Sequence, residues 1–510
     1  MPSIVILDFG SQYTFLIARA LRELQIPADI LPGTAPAEKI LALAPRGLVF
    51  SGGPDSVGRR GAPKPDPALF CAGLPILGIC YGMQLLARET GGKVAPALRR
   101  EYGSAEVEIS TPCPIFQGLP PKFKAWMSHG DEVSGLSNGF RAAAKTPAVP
   151  LAAMADEPKS WYGVQFHPEV AHTEFGSKIL ENFARGVCKV SERWTMASVM
   201  ESQIAAVRAQ VGQGAVVCAL SGGVDSAVAA ALIQRAIGER LFCIFVDTGL
   251  LREGDRVRVE TLLGRSLGLK IKTVEAGALF LRRLRGVADP ERKRKIIGKT
   301  FIGVFEKEAK RLKGVSFLAQ GTLYPDVIES VSVHGPSASI KSHHNVGGLP
   351  KAMKLKLVEP LRALFKDDVR MLGRELGIAS EILDAHPFPG PGLAIRVLGP
   401  VTPEKIAVVR RADAIFREVL EASGWSKKVW QAFAALLPVR SVGVMGDGRT
   451  YENAVVLRAV DARDGMTADW SRLPHEVLQA AAARIVSEVR GVNRVAYDVT
   501  SKPPATIEWE

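Results

Sequence analysis

The sequence has 510 residues, too many for one ordinary core and enough for two to four domains. At 47% hydrophobic and 23% charged, with no apolar run near the ~18 residues a bilayer span needs, it reads as a globular enzyme and excludes a membrane-spanning protein. The formal charge of +13 is uneven: residues 1–190 carry 19 Lys and Arg against 17 Asp and Glu, residues 191–510 carry 46 against 35.

In chain order, short apolar runs at 4–7, 47–50 and 76–79 each end in Gly, Ser, Asp or Cys, with helix-like stretches such as 14–24 between them. This alternation predicts βαβ units and a mainly parallel sheet. The pattern loosens near 186–200. A second α/β run opens with a strand at 215–220, a helix at 227–237 and a strand at 241–246. Three prolines in 386–392 (HPFPGPG) mark another boundary. Beyond it come a helix (403–423), strands (441–445 and 451–459), a helix (475–489) and a strand (494–500), a small α+β domain. The expected domains are therefore 3–194, 195–385 and 386–510.

The six cysteines, Cys71, Cys80, Cys113, Cys188, Cys218 and Cys243, include no CxxC, which argues for reduced thiols and against a disulfide scaffold or a cysteine zinc site. The chain opens directly on an apolar strand with no basic region before it, so a secretory signal is not expected and the cytoplasm is. For the basic rear, nucleic acid, phosphorylated small molecules and a merely solvated surface are all open readings. The densest run, 282–295 (RRLRGVADPERKRK), has no aromatic residue to stack on bases.

The first chemical motif is Gly78-Ile79-Cys80-Tyr81-Gly82, between an apolar strand and a helix-like stretch. It is a G-x-nucleophile-x-G elbow with Cys in place of Ser. Small neighbours permit the tight turn, and the helix start favours thiolate. The competing reading is a buried core cysteine. A second strand, 161–166, leads to His167-Pro168-Glu169, where the histidine can act as base for a thiol and the carboxylate can orient it. Ser51-Gly52-Gly53-Pro54 follows the strand 47–50, and the N–H groups of Gly53 and Tyr81 are candidates for an oxyanion site. His129 and His172 read as structural. Taken together these residues resemble the class I (triad) glutamine amidotransferases over about 3–190. The resemblance implies hydrolysis of glutamine by Cys80 as nucleophile, His167 as base and Glu169 as orienter; a cysteine protease is the rival class.

Ser221-Gly222-Gly223-Val224-Asp225-Ser226 lies between the strand at 215–220 and the helix after it. Glycines let backbone N–H groups face an anion and a helix start adds its dipole, while the Walker A lysine is absent. A plain Gly-rich turn is the alternative for SGG alone. The full motif resembles the PP-loop ATP pyrophosphatases, which split ATP into AMP and pyrophosphate. That resemblance implies Asp225 as a Mg²⁺ ligand and Val246 as an adenine contact. Lys366 is a candidate phosphate contact or a surface lysine.

The motifs Phe388-Pro389-Gly390-Pro391-Gly392-Leu393, Gly446-Asp447-Gly448-Arg449-Thr450-Tyr451 and the segment 501–510 complete a resemblance, spanning essentially the whole chain, to the glutamine-hydrolysing GMP synthetases. Residues 321–326 (GTLYPD) and 342–348 (SHHNVGG) add to it. It implies a fold of a class I amidotransferase α/β domain, a PP-loop parallel-sheet α/β domain and a small α+β dimerisation domain. The implied reaction adenylates xanthosine 5′-monophosphate (XMP) with ATP and Mg²⁺, and internally delivered ammonia displaces AMP to give GMP. XMP contacts are expected from Pro389, Gly390, Gly392, Arg449, Lys502, Thr506 and Glu508. The partners expected are small molecules (ATP, XMP, glutamine) and a second copy of the chain in a homodimer, with neither nucleic acid nor membrane. The run 282–295 resembles the family's mobile lid.

Overall fold

The computed structural model describes residues 3–265, 267–324, 326, 355–462 and 467–510, without the side chains of Leu98, Arg99 and Met445. The motif at 342–348 and Pro325 lie outside the described residues. The chain forms two compact units, 1–195 and 196–510. No described helix is long and apolar enough to cross a membrane.

The first unit is built on nine strands: β1 (Ile4–Asp8), β2 (Ala28–Pro32), β3 (Gly47–Phe50), β4 (Ile76–Ile79), β5 (Lys93–Ile109), β6 (Lys122–Gly135), β7 (Arg141–Lys145), β8 (Ala153–Asp156) and β9 (Trp161–Val164). Their order is β2-β1-β3-β4-β9-β8-β7-β5-β6. The five strands from β2 to β9 run parallel, while β8, β7, β5 and β6 pair antiparallel. In β3, β4 and β9 every residue is buried, the mark of central strands covered on both faces. The core joins these strands to the helix Tyr81–Glu89 through Leu48, Phe50, Ile76, Leu85 and Leu86. The antiparallel half departs from the expected mainly parallel sheet. The long strand β6 alternates buried and exposed residues, as expected where only one face is covered.

The second unit holds a wholly parallel sheet in the order β12-β11-β10-β13-β14, from β10 (Ala215–Leu220), β11 (Leu241–Asp247), β12 (Ile271–Glu275), β13 (Val315–Ala319) and β14 (Lys356–Val358). Its second sheet pairs β15 (Gln431–Met445) with β16 (Gly448–Asp461), which in turn pairs with β17 (Asp469–Trp470) and, in parallel, β18 (Val492–Tyr497). One apolar core runs from Val217 and Ile244 through Leu393 and Phe416 to Leu457 and Ile485.

The basic run 282–295 is largely helical. It lies across the helices Gly277–Leu284 and Pro290–Ala309, the second capped by Asp289. Lys293 is wholly buried, donating to the carbonyls of Ala394 (3.2 Å) and Val397 (2.7 Å) and to the Glu510 carboxylate. Part of the run's charge is thus consumed by tertiary pairing. Arg396 and Arg458, also fully buried, hold the same terminal segment: Arg396 pairs with Asp413 at 3.2 Å and Glu508 at 3.0 Å, and Arg458 donates to the carbonyls of Ile507 and Thr506 at 2.8 and 3.0 Å.

Candidate active site

The chain leaves β4 at Cys80 with φ +50° and ψ −105°, a backbone state that L residues rarely occupy. What holds it there is close packing of backbone on backbone. A Cβ on Gly82 would lie 2.2 Å from the Phe50 carbonyl oxygen, and one on Gly78 would lie 2.5 Å from that of Gly82. Glycine is therefore a steric requirement on both sides of Cys80. Cys80 N donates to Val164 O at 2.8 Å, tying the elbow to β9, and the helix Tyr81–Glu89 starts at the next residue.

His167 follows the end of β9, the neighbour of β4, so the sheet order brings it to the elbow. Its N–H donates to Trp126 O at 3.0 Å, its carbonyl accepts from Thr173 Oγ1 at 2.6 Å, and the Tyr13 ring meets it edge-on at 5.0 Å. Nδ1 donates to Glu169 Oε1 at 2.8 Å, with the two side chains only 4% and 0% exposed. That leaves Nε2 for the hydrogen bond with Cys80. Burial opposes a charged imidazole, but the Glu169 carboxylate and the Cys80 sulfur outweigh it and push His167 up to about 10.

The turn after β3 closes the other side. Buried Ser51 accepts from Phe9 N–H at 3.0 Å and donates to Gly52 O at 2.8 Å. The Cβ position of Gly52 is 3.2 Å from His167 Cε1, and that of Gly53 is 3.1 Å from the Tyr81 ring. Cys80, His167, Glu169, Gly53 and Tyr81 are thus gathered in one place. Two glutamines unmarked by any motif join them: Gln165 Nε2 lies 3.6 Å from the Cys80 sulfur, and Gln84 bonds to Gln165. Only the packing of neighbouring strands reveals them. His129 sits beside Glu101 at 3.4 Å with its pKa held down by burial, and His172 packs on Trp126 at 4.9 Å.

In the second unit the ends of β10, β11 and β13 converge. Ser221–Ser226 links β10 to the helix Val224–Ile237, with Gly222 at φ +80°. Ser226 Oγ donates to Gly223 O at 3.0 Å, and Gly223 N–H donates to Ser221 Oγ at 3.3 Å. The helix start leaves backbone N–H groups without intrahelical acceptors and adds a positive dipole end, a ready anion site. Lys366 Nζ grips both oxygens of Asp225, at 2.7 and 2.8 Å, from the first position of the helix Lys366–Glu375. A Cβ on Gly321, just past β13, would lie 3.1 Å from the Asp225 backbone. Val246 is buried near the end of β11, one residue beyond the Leu220–Phe245 register pair. Among the described residues no group of three or more His, Cys, Asp or Glu could hold a metal by itself.

The third set of predicted residues is more scattered. Gly392 has φ +64° and its Cβ would lie 2.5 Å from Leu250 O; with Gly392 N–H donating to Pro389 O at 2.8 Å, the turn holding Gly390 packs on the loop after β11. Arg449 is exposed on β16, opposite Val444. Lys502 pairs through its backbone with Ala468, and the Thr506 carbonyl accepts from Arg458. The Glu508 carboxylate is committed to Arg396 and, at 2.7 Å, to Gln431. Among the described contacts none joins Arg449 to the turn or to the terminal segment.

The family model described as glutamine amidotransferase class-I matches residues 5–187, that described as NAD synthase matches 196–284, and that described as GMP synthase C terminal domain matches 418–509. The chain is 61% identical to the glutamine-hydrolysing GMP synthase of Elusimicrobium minutum, over 100% of both chains. It is 57% identical to that of Solidesulfovibrio magneticus over 99% of each chain, and 55% identical to that of Chlorobium chlorochromatii over 100% of each.

Proposed function

The chain belongs to the family of glutamine-hydrolysing GMP synthases, and on that footing we propose that Cys80, His167 and Glu169 are its glutaminase centre and the 221–226 loop its ATP site. It is a carbon–nitrogen ligase that makes GMP from XMP, ATP and glutamine, with AMP, diphosphate and glutamate as the other products. The observation that carries the residue assignment is the buried line Glu169–His167–Cys80 at a sterically enforced elbow.

In the glutaminase half, the Cys80 sulfur attacks the glutamine carboxamide carbon, and the carbonyl oxygen gathers charge beside the N–H groups of Gly53 and Tyr81. As the C–N bond breaks, protonated His167 gives its proton to nitrogen and ammonia leaves. The neutral imidazole then takes a proton from water, whose oxygen attacks the thioester carbon. The C–S bond breaks, glutamate departs, and thiolate and imidazolium are restored.

In the synthetase half, the helix start at 221–226 holds the ATP phosphates, Val246 lies against adenine, and Lys366 adds a cation beside Asp225. The XMP O2 bonds to the α-phosphorus as diphosphate leaves; ammonia then bonds to C2 as AMP leaves. Mg²⁺ would be held by Asp225 together with the phosphates and would neutralise charge on the departing diphosphate; a lone carboxylate completed by substrate oxygens suits this ion. Pro389, Gly390, Gly392, Arg449, Lys502 and Thr506 are proposed to hold XMP. Glu508 acts through Arg396 and Gln431, shaping the terminal segment.

The segment 386–510 is proposed as the dimerisation part of a cytoplasmic homodimer. In support, Val442, Val444 and Tyr451 are 59%, 74% and 61% exposed. Val442 opposes Tyr451 and Val444 opposes Arg449, so one face of the β15–β16 hairpin presents an apolar strip beside Arg449. Sedimentation of the chain alone tests this; a monomer at micromolar concentration would refute it.

The test of the division of labour is GMP and diphosphate formation from ATP, XMP and either glutamine or ammonia. Cys80→Ala is expected to abolish the glutamine-driven reaction and spare the ammonia-driven one. Equal loss of both would overturn the assignment.

A further inference from the structure

Gln165 is fully buried between β9 and His167, and its amide nitrogen lies 3.6 Å from the Cys80 sulfur. The orientation of that amide is dictated by a relay. Gln84, itself 3% exposed, reaches the Asp131 carbonyl at 2.8 Å, and a carbonyl accepts only from a donor, so the NH₂ of Gln84 points there. The same NH₂ lies 3.3 Å from Gln165 Oε1, which turns the Gln165 oxygen towards Gln84 and its NH₂ towards the sulfur. The Ser128 carbonyl, 3.7 Å from the same sulfur, accepts a hydrogen bond from it only when it is a protonated thiol. Cys80 therefore has a donor that suits its charged form and an acceptor that suits its neutral form.

We propose that Gln165 is a further catalytic residue of the glutaminase, donating an amide hydrogen bond to the Cys80 sulfur whenever it carries negative charge, and that Gln84 is the residue that positions it. The proposal rests on the reading of Cys80 as nucleophile. Gln165 keeps its own protons throughout. Its bond is strong to the thiolate that attacks, weak to the neutral sulfur of the thioester, and strong again as the C–S bond breaks and charge returns to sulfur. That difference favours release of glutamate, because only an interaction that strengthens towards the transition state accelerates a step. A donor aimed at the sulfur from β9 also gives the thiolate a second fixed direction besides His167.

The test uses the full chain with ATP, XMP and glutamine. Gln165→Met keeps the bulk and removes the donor; Gln165→Glu keeps the acceptor for Gln84 and sets a charge against the sulfur. For Gln165→Met, kcat for glutamate release is expected to fall about ten- to a hundredfold, the range of one hydrogen bond to a charged group. The glutamine KM is expected to hold within about twofold, and ammonia-driven synthesis to be unchanged. Gln165→Glu should lose more. Gln84→Met, which frees the Gln165 amide to turn, should show a smaller fall of the same kind and decides the matter if the Gln165 variants fail to fold. A parent-like kcat would overturn the proposal. So would a raised KM with kcat intact, which would make Gln165 a substrate contact. Should Cys80→Ala itself retain glutamine-driven synthesis, the reading of Cys80 is what fails.

Discussion

Replacing Glu169 by Gln preserves the size of the side chain and an acceptor for His167 Nδ1, now 2.8 Å from the carboxylate, but removes the charge. Burial by itself would hold the imidazole below its ordinary value; Glu169 and the Cys80 sulfur reverse that and lift it from 6.5 to about 10. At about 1.36 kcal/mol per pH unit, the lift is worth roughly 5 kcal/mol to the protonated form. A raised pKa stabilises the fold fully below pH 6.5, and that contribution is lost as pH climbs through about 10. Without the carboxylate, burial again opposes the charge and the imidazole falls back towards 6.5. A group titrating there is protonated in roughly one molecule in ten at pH 7.5, so the imidazolium proposed to protonate departing ammonia becomes about tenfold scarcer. Glutamate release by the full chain with all three substrates, measured from about pH 6 to 9, checks this. The parent rate should stay level across the window, whereas the Glu169→Gln kcat should drop at least about tenfold at pH 7.5 and further as pH rises. Ammonia-driven GMP formation should be equal in both. A variant within about twofold of the parent, with a parallel pH profile, would refute the ion-pair argument.

Gly82→Ala would drive a Cβ to 2.2 Å from the Phe50 carbonyl, a backbone atom with nowhere to go; the elbow should open, with glutaminase lost and about 1–3 kcal/mol of stability in the first unit, read by urea unfolding. Parent-like glutamine hydrolysis in that variant would contradict the steric reading. Lys366→Met leaves Asp225 without its cation; because Lys366 is 44% exposed, stability should change by under about 1 kcal/mol, while the ATP KM rises about tenfold or more in both glutamine- and ammonia-driven synthesis. An unchanged ATP dependence would remove Lys366 from the phosphate site. Arg396→Met strips a buried cation from Asp413 and Glu508; since Arg417 and Gln431 still serve those carboxylates, the loss should fall near the low end of the range for a broken buried pair, about 3 kcal/mol in chemical denaturation of the second unit. A change below about 1 kcal/mol would show that Arg396 is dispensable to the packing.

The features that sequence alone determined are those whose causes are local. Gly78, Cys80 and Gly82 announce an elbow because glycines there answer contacts with backbone that any strand-to-helix turn of this kind makes. Continuous apolar runs announce β3, β4, β10 and β11 because central parallel strands are covered on both faces. Ser221–Ser226 announces a glycine turn into a helix start, whose dipole and unpaired N–H groups suit an anion. Tertiary structure decided whatever depends on which residues distant strands set side by side. The antiparallel half of the first sheet escaped notice since its one-sided alternation is a weaker signal than an unbroken apolar run. Nothing in the basic run 282–295 shows that Lys293 is spent inside the core on Ala394, Val397 and Glu510, more than a hundred residues away. Glu508 likewise became a partner of Arg396 across 112 positions. The amide relay from Asp131 through Gln84 and Gln165 to Cys80 has no spacing to betray it, because β6, the helix Tyr81–Glu89 and the residues just past β9 contribute to it from three separate stretches. Hydrogen bonds and ion pairs are short-ranged, so their partners become known only when the chain has folded and distance in sequence no longer measures distance in space.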